Sequence, residues 1–214
     1  MDSGDPGLVA WLRDRIRARG PLPFVEFMEA SLYHPEHGYY CRDGATTGPD
    51  GDFYTSPDVH PAFGRLIARQ VAEIAEASQE AHDPFTIVEV GPGTGKLARD
   101  VIAGLAEERP DLARRVRYRL VEVSPSLRQA QQATLSAAGS AAKVADIAWA
   151  RWQDLLEHRD AARGERFTGC VLANEFLDAL PVHVVENVGG SLREVHVDAV
   201  EDRFDEVMLE PSTG

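Results

Sequence analysis

The stretch Phe85-Thr86-Ile87-Val88-Glu89-Val90-Gly91-Pro92-Gly93-Thr94-Gly95-Lys96-Leu97 constrains this chain more than any other. A short apolar, β-branched run ends on an acidic residue and breaks into glycines at alternate positions. A helical pattern opens at Leu97 and continues through Ala98, Arg99, Asp100, Val101 and Ile102. Strand, tight glycine turn and helix, in that order, open a parallel α/β unit. Glycine accepts positive φ and has no Cβ, so a ligand can come close to the backbone of such a turn. The free N–H groups at the start of the next helix point to the same place.

Three ligand classes use turns of this kind, and the residues separate them. A P-loop for ATP needs G-x-x-x-x-G-K-[ST]. Counting back from Gly95-Lys96, the first glycine position holds Val90, and the magnesium-binding hydroxyl position holds Leu97. The pattern therefore fails at both ends. A dinucleotide loop needs G-x-G-x-x-G, and here the third glycine comes one residue early, with Ala98 a poor substitute. The third pattern, E-x-G-x-G-x-G, is met by Glu89, Gly91, Gly93 and Gly95. It resembles the first motif of Rossmann-like S-adenosylmethionine (SAM) methyltransferases. SAM carries no phosphate and bears a cationic amine, which suits an anionic Glu89 better than a pyrophosphate would. A plain glycine-rich βα turn is the alternative, at a backbone-entropy cost for each glycine.

Composition narrows the partners. The chain has 214 residues, enough for one domain with a small appendage. Its formal net charge of −13 argues against nonspecific nucleic-acid or anionic-membrane binding, and leaves room for a basic protein partner or for simple solubility. The two cysteines, Cys41 and Cys170, lack metal-ligand spacing and point to a reducing compartment, read here as the cytoplasm. No stretch is apolar enough to cross a membrane. Residues 8–19 are amphipathic and Arg-rich like a transit peptide, but Asp2, Asp5 and Asp14 count against one. His34, His37 and His60 match no ligand motif, so no metal is expected.

In chain order, Leu8, Val9, Leu12 and Ile16 predict a helix that Gly20-Pro21 stops. Pro23 opens a second, over 24–30. A loop-rich segment rich in Gly, Pro and Tyr follows to Asp58, and long loops of this kind often serve as lids. A helix over 61–78 then precedes the opening strand. After the turn come a helix over 97–108, a strand over 117–123 and a helix over 126–138. In that last helix Leu127, Ala130 and Leu135 face inward, with Gln129, Gln131 and Gln132 as polar positions. Glu122, closing its strand, suits the ribose hydroxyls of an adenosine ligand, or is a solvated strand-end carboxylate. A weak third strand near 147–155 leaves Asp154 either to take the adenine amine or to cap a helix. The fourth strand, 169–173, runs into Asn174, Glu175 and Asp178 at the carboxyl edge, where open α/β sheets bind ligands. Asp178 is alternatively a cap or loop residue. Residues 182–197 predict a β-hairpin around Gly189-Gly190.

Several of these stretches together resemble one family. They are Tyr33-His34-Pro35 with Gly38-Tyr39-Tyr40, Gly51-Asp52-Phe53-Tyr54-Thr55-Ser56-Pro57 with Phe63-Gly64, Glu89 to Gly95, Val121-Glu122-Val123-Ser124-Pro125, and Asn174-Glu175-Phe176-Leu177-Asp178-Ala179-Leu180-Pro181-Val182. The combination resembles the MidA-like SAM-dependent methyltransferases, which include a mitochondrial assembly factor that methylates an arginine of a complex I subunit. The resemblance implies SAM contacts at Glu89, Gly91, Gly93, Gly95 and Glu122, with the flanking Pro92 and Val123 counted among them. It places Asn174 and Glu175 beside the methyl donor and closes Thr55-Ser56-Pro57 over the site. Asp58 and His60 stand where the family leads one to expect Glu and Ser, and receive no role. Members also run well past residue 214, so a shortened chain is expected.

The expected fold is α/β: a partial Rossmann-like class I methyltransferase sheet of about four parallel strands over 85–181. An N-terminal helical and lid-loop segment over 1–84 precedes it, and a β-hairpin appendage over 182–214 follows. The expected activity is SAM-dependent methyl transfer to a protein arginine, with Asn174, Glu175 and Asp178 as catalytic candidates. A protein substrate of the complex I subunit type and a homodimer are the partners this implies. The alternatives are a SAM-binding scaffold without activity and a nucleotide-dependent enzyme using Gly-Thr-Gly-Lys.

Overall fold

A computed structural model describes residues 4–41, 55–78, 84–151 and 168–213. Two compact units divide the chain: Met1–Asp43 joins Asp178–Gly214 in one, and Gly44–Leu177 forms the other. Helix α1, Pro6–Arg19, begins where the Asp5 side chain accepts from the Leu8 N–H and Pro6 occupies the first turn. It ends at Gly20, whose φ of 86° only glycine adopts cheaply. A two-residue strand β1, Leu22–Pro23, leads into α2, Phe24–Tyr33, one turn longer than its sequence predicts.

The second unit is the α/β core. Helices α3, Ser56–Val59, and α4, Ala62–Ala77, precede strand β2, Phe85–Val90. Then come α5, Lys96–Glu108, α6, Pro110–Ala113, β3, Val116–Val121, α7, Pro125–Ala137, β4, Asp146–Ala150, and β5, Gly169–Leu172. The four strands are parallel, as the sequence leads one to expect, and run in the order β4-β3-β2-β5. Central β2 is covered on both faces, which is why it reads as an almost unbroken apolar run. One face carries Phe85 and Ile87, packed with Tyr118, Leu120, Ala98, Val101 and Ile102. The other carries Val88 and Val90, packed with Val121 and Phe176. Each fully buried aliphatic side chain contributes about 1.5–3 kcal/mol, and Ile87, Val101, Ile102 and Leu120 are all at 0% exposure.

The first unit holds a second sheet. Strands β6, Val185–Val188, β7, Ser191–Val200, and β8, Arg203–Leu209, are antiparallel. The hairpin around Gly189 and Gly190 is present as β6 and β7, with both glycines at positive φ. It is half of a larger structure: β7 also pairs with β8 and with β1. Neither partner is visible in a pattern search, because β1 has two residues and Asp205-Glu206 interrupts the alternation of β8. Leu12, Ile16, Leu22 and Ala30 form this unit's core, with Phe27 and Phe204 against it.

Candidate active site

The turn after β2 sets the site. Gly91, Gly93 and Gly95 have φ of 64°, 52° and 82°, each in the left-handed region. Their surroundings differ. A Cβ on Gly91 would stand 2.7 Å from Cδ2 of Phe176, and one on Gly95 would stand 3.2 Å from Cα of Gln131. A Cβ on Gly93 would meet nothing within 4 Å. Two of the glycines therefore admit protein, and the middle one faces open space at the carboxyl end of the sheet, where a ligand can lie on the backbone. Pro92 is buried between them and its carbonyl accepts from the Gly95 N–H at 2.8 Å.

Glu89 lies on β2 just before the turn. It is 2% exposed, and the Tyr118 hydroxyl donates to its Oε2 at 2.6 Å. Burial pushes its carboxyl up to about 7, only partly offset by that hydrogen bond. Tyr118 is correspondingly raised, by burial and by Glu89.

Glu122 follows β3 directly and is 8% exposed. Its Oε1 accepts from the Ser124 N–H at 2.8 Å, and its Oε2 from Nε2 of Gln131 at 3.2 Å. Burial raises its carboxyl, against hydrogen bonds from Ser124 and Gln131 that lower it. A carboxylate has about four lone-pair directions. Ser124 and Gln131 take one on each oxygen and the Val123 N–H also bears on the group, which leaves acceptor capacity for a ligand's hydroxyl. Val123 beside it is 80% exposed, an apolar surface next to that carboxylate.

Thr55 and Asp58 form a capping box at the start of α3: the Thr55 hydroxyl donates to Asp58 Oδ2 at 2.7 Å, and the Thr55 N–H to the same oxygen at 3.1 Å. The other oxygen, Oδ1, accepts from Nζ of Lys96 at 2.6 Å. Burial raises the Asp58 carboxyl, but Lys96 and Thr55 outweigh it and the net shift is downward. Asp58, left without a role by the sequence, thus ties Thr55, Ser56 and Pro57 to the first residue of α5. The lysine of Gly-Thr-Gly-Lys is held by a carboxylate rather than left free over the turn.

After β5 the chain turns sharply. Glu175 is exposed with φ 48°, a conformation that costs a residue with a Cβ about 1–2 kcal/mol. Phe176 holds it there by packing on Val88, Val90 and Val121 and over Gly91. Asn174 and Glu175 are thereby displayed beyond the same sheet edge as the glycine turn. Asp178 belongs to the other compact unit, and Asp154 lies outside the described residues.

Known proteins match this arrangement. A family described as "Putative S-adenosyl-L-methionine-dependent methyltransferase" matches residues 66–214. The chain belongs to this family. Curated relatives include the mitochondrial protein arginine methyltransferase NDUFAF7 homolog of Drosophila melanogaster, 35% identical over 92% of this chain and 46% of that protein. Human mitochondrial protein arginine methyltransferase NDUFAF7 is 33% identical over 86% of this chain and 43% of that protein. A COG1565 superfamily member from Burkholderia thailandensis, solved bound to S-adenosyl-homocysteine, is 33% identical with a TM-score of 0.77, covering 97% of this chain and 51% of that one. The chain spans about half the length of the curated relatives it matches.

Family membership gives the site its cofactor, SAM, and the residues fit it. Gly93 leaves room at the backbone, Glu122 keeps acceptor capacity, and the lysine of the turn is already held by Asp58. The cytoplasmic expectation is overturned, because the curated relatives of this methyltransferase family are named as mitochondrial. Cysteine usage reports a reducing environment and cannot distinguish one reducing compartment from another.

Gln131 is the residue that sequence reasoning missed. Its sequence neighbours Gln129 and Gln132 make it look like a surface position, whereas the structure buries it completely. Its signal was present: Gln131 lies four residues after Leu127 and four before Leu135, on the inward face of the helix.

Proposed function

We propose that this chain holds SAM across the carboxyl edge of its parallel sheet and presents the methyl group to a protein arginine. The observation that carries the reading is the open backbone at Gly93, flanked by the partly satisfied carboxylate of Glu122. When bound, SAM would supply an electrophilic methyl on a sulfonium: an N–C bond would form in line as the C–S bond broke to a neutral thioether, with the guanidinium's proton passing to solvent.

The residues hold and align the reactants. Such positioning can supply roughly 7–11 kcal/mol of a barrier. Glu89, Gly91, Pro92, Gly93, Gly95, Glu122 and Val123 are assigned to the cofactor, and Asn174 to the edge next to the methyl donor. Thr55, Ser56 and Pro57 close over the site, anchored through Asp58 to Lys96.

Arginine is a poor nucleophile, because its guanidinium keeps its proton up to a pKa above about 12. Carboxylates grip the guanidinium fork bidentately and concentrate its charge away from the attacking nitrogen. Glu175 is assigned to that grip, and Asp178 is carried as a separate candidate from the sequence. The arginine target draws support from the names of the curated relatives, protein arginine methyltransferases at 32–35% identity. A complex I subunit is the target class that the family resemblance implies.

Calorimetry tests the cofactor: S-adenosylhomocysteine should bind and ATP should not. Binding of ATP alone would overturn the reading. Transfer of labelled methyl to an arginine-containing protein tests the reaction. Intact transfer by both Glu175→Gln and Asp178→Asn would remove those two residues from it. Cofactor binding without transfer to any arginine would leave a SAM-binding scaffold.

A further inference from the structure

We infer that Gln131 is the positioning residue of the cofactor site: one side-chain amide locks the glycine turn and Glu122 into a single geometry, and Trp149 locks the amide. This rests on the assignment of the 91–95 turn and Glu122 to SAM.

Gln131, on α7, is at 0% exposure. Its Nε2 donates to the Gly93 carbonyl at 2.7 Å and to Glu122 Oε2 at 3.2 Å. Its Oε1 accepts from the Trp149 indole at 2.7 Å. The chemistry allows one orientation only. An indole N–H can only donate, so the amide oxygen must face Trp149. The NH₂ group then necessarily faces the carbonyl and the carboxylate, each of which can only accept. All hydrogen-bonding capacity of the NH₂ is used, and a flipped amide would oppose like groups at three contacts.

The consequence for the ligand is indirect. Gly93 is the glycine open to space, and its carbonyl direction fixes the plane of the peptide that a cofactor would lie on. Glu122 is held from both sides, by the Ser124 N–H at Oε1 and by Gln131 at Oε2. Its remaining lone pairs are therefore aimed in fixed directions. Four pieces of the core meet at this amide: the turn after β2, the end of β3, α7 and β4. Helix α7 is also pressed against the turn, because only the missing Cβ of Gly95 lets the Gln131 backbone approach.

Gln131→Glu is the informative variant. It keeps the shape and the acceptor for Trp149, but turns the donor into an oxygen facing the Gly93 carbonyl and the Glu122 carboxylate. At pH 8 the Kd for S-adenosylhomocysteine should rise about 10–100-fold, the range for lost hydrogen bonds to charged groups. Acid should restore it, since the introduced carboxyl regains one donor when it is protonated. The charged groups facing this position are Glu122 at the end of β3 and Arg128 of α7, whose Nε donates to the Glu122 carbonyl at 2.7 Å. The neighbouring Glu122 carboxylate raises the introduced carboxyl above the ordinary carboxylate range, so recovery is expected as the pH is lowered from 8 into the acid range.

Trp149→Phe keeps the native glutamine and removes the indole donor, together with part of a ring that packs against the core. It should weaken binding about 3–10-fold with no acid recovery. It also carries the test if Gln131→Glu does not fold, which urea unfolding would reveal. Two results would overturn the inference: both folded variants binding like the parent at pH 8, or Gln131→Glu weakened equally at every pH. A parent chain that binds no S-adenosylhomocysteine would instead sink the cofactor assignment itself, and this inference with it.

Discussion

Glu89 on β2 and Glu194 on β7 are both buried, at 2% and 1% exposure, one in each compact unit. Burial pushes both carboxyls upward, yet Glu89 ends at about 7 and Glu194 at about 2. The partners decide. Glu89 has the neutral Tyr118 hydroxyl as its donor. Glu194 has the His183 imidazole on Oε1 at 2.6 Å and the Ser212 N–H on Oε2 at 2.5 Å, and together these outweigh desolvation. The antiparallel unit thus uses its buried carboxylate as a charged staple between β7 and residue 212. The parallel unit keeps its own raised by burial, held by a neutral hydroxyl beside the glycine turn.

The two should pull stability in opposite directions with pH. Glu194 is depressed, so its contribution is present above the unfolded value of 4.5 and lost as pH falls toward about 2. Glu89 is raised, so it opposes folding increasingly as pH climbs from 4.5 to about 7. The largest effect expected is at Glu194. Glu194→Ala removes two hydrogen bonds to a charged group and should cost about 3 kcal/mol in urea unfolding at about pH 7. The deficit should shrink toward pH 2. A constant deficit across that range would mean the carboxylate is not the staple.

Glu89→Gln should show the reverse dependence. Relative to the parent, the variant should gain about 2–3 kcal/mol between about pH 5 and about pH 8, following about 1.36 kcal/mol per unit over a raised carboxyl. Parallel stability curves for the two proteins would show that Glu89 is ordinarily ionised.

The same contrast explains what could be read in advance. The glycine turn, its strand and its helix were legible because their causes are local: φ, a missing Cβ and period. The four-stranded parallel core followed from repeated strand–helix alternation, and Glu122 from its place at a strand end. Gln131 was legible only in part: its place four residues from both Leu127 and Leu135 reports its burial, but its three partners come from separate segments that no periodicity links. Asp58 looked like a departure from a family pattern until Lys96, distant in sequence, was seen against it. Strand β8 carries Asp205 and Glu206 where alternation was sought, and β1 is too short to have a pattern. Non-local pairing hid each of these.

The smallest effect on stability should separate room for protein from room for ligand. Gly91→Ala and Gly93→Ala both place a Cβ at positive φ, at about 1 kcal/mol each. At Gly91 the new methyl must also displace Phe176, which holds Glu175 in place, so the fold loses more than that amount. At Gly93 the methyl enters empty space, so unfolding should shift by only about 1 kcal/mol. Calorimetry on Gly93→Ala should nevertheless show a large fall in S-adenosylhomocysteine affinity, since the methyl stands where the cofactor meets the backbone. A Gly93→Ala chain that binds as well as its parent would move the cofactor off the turn.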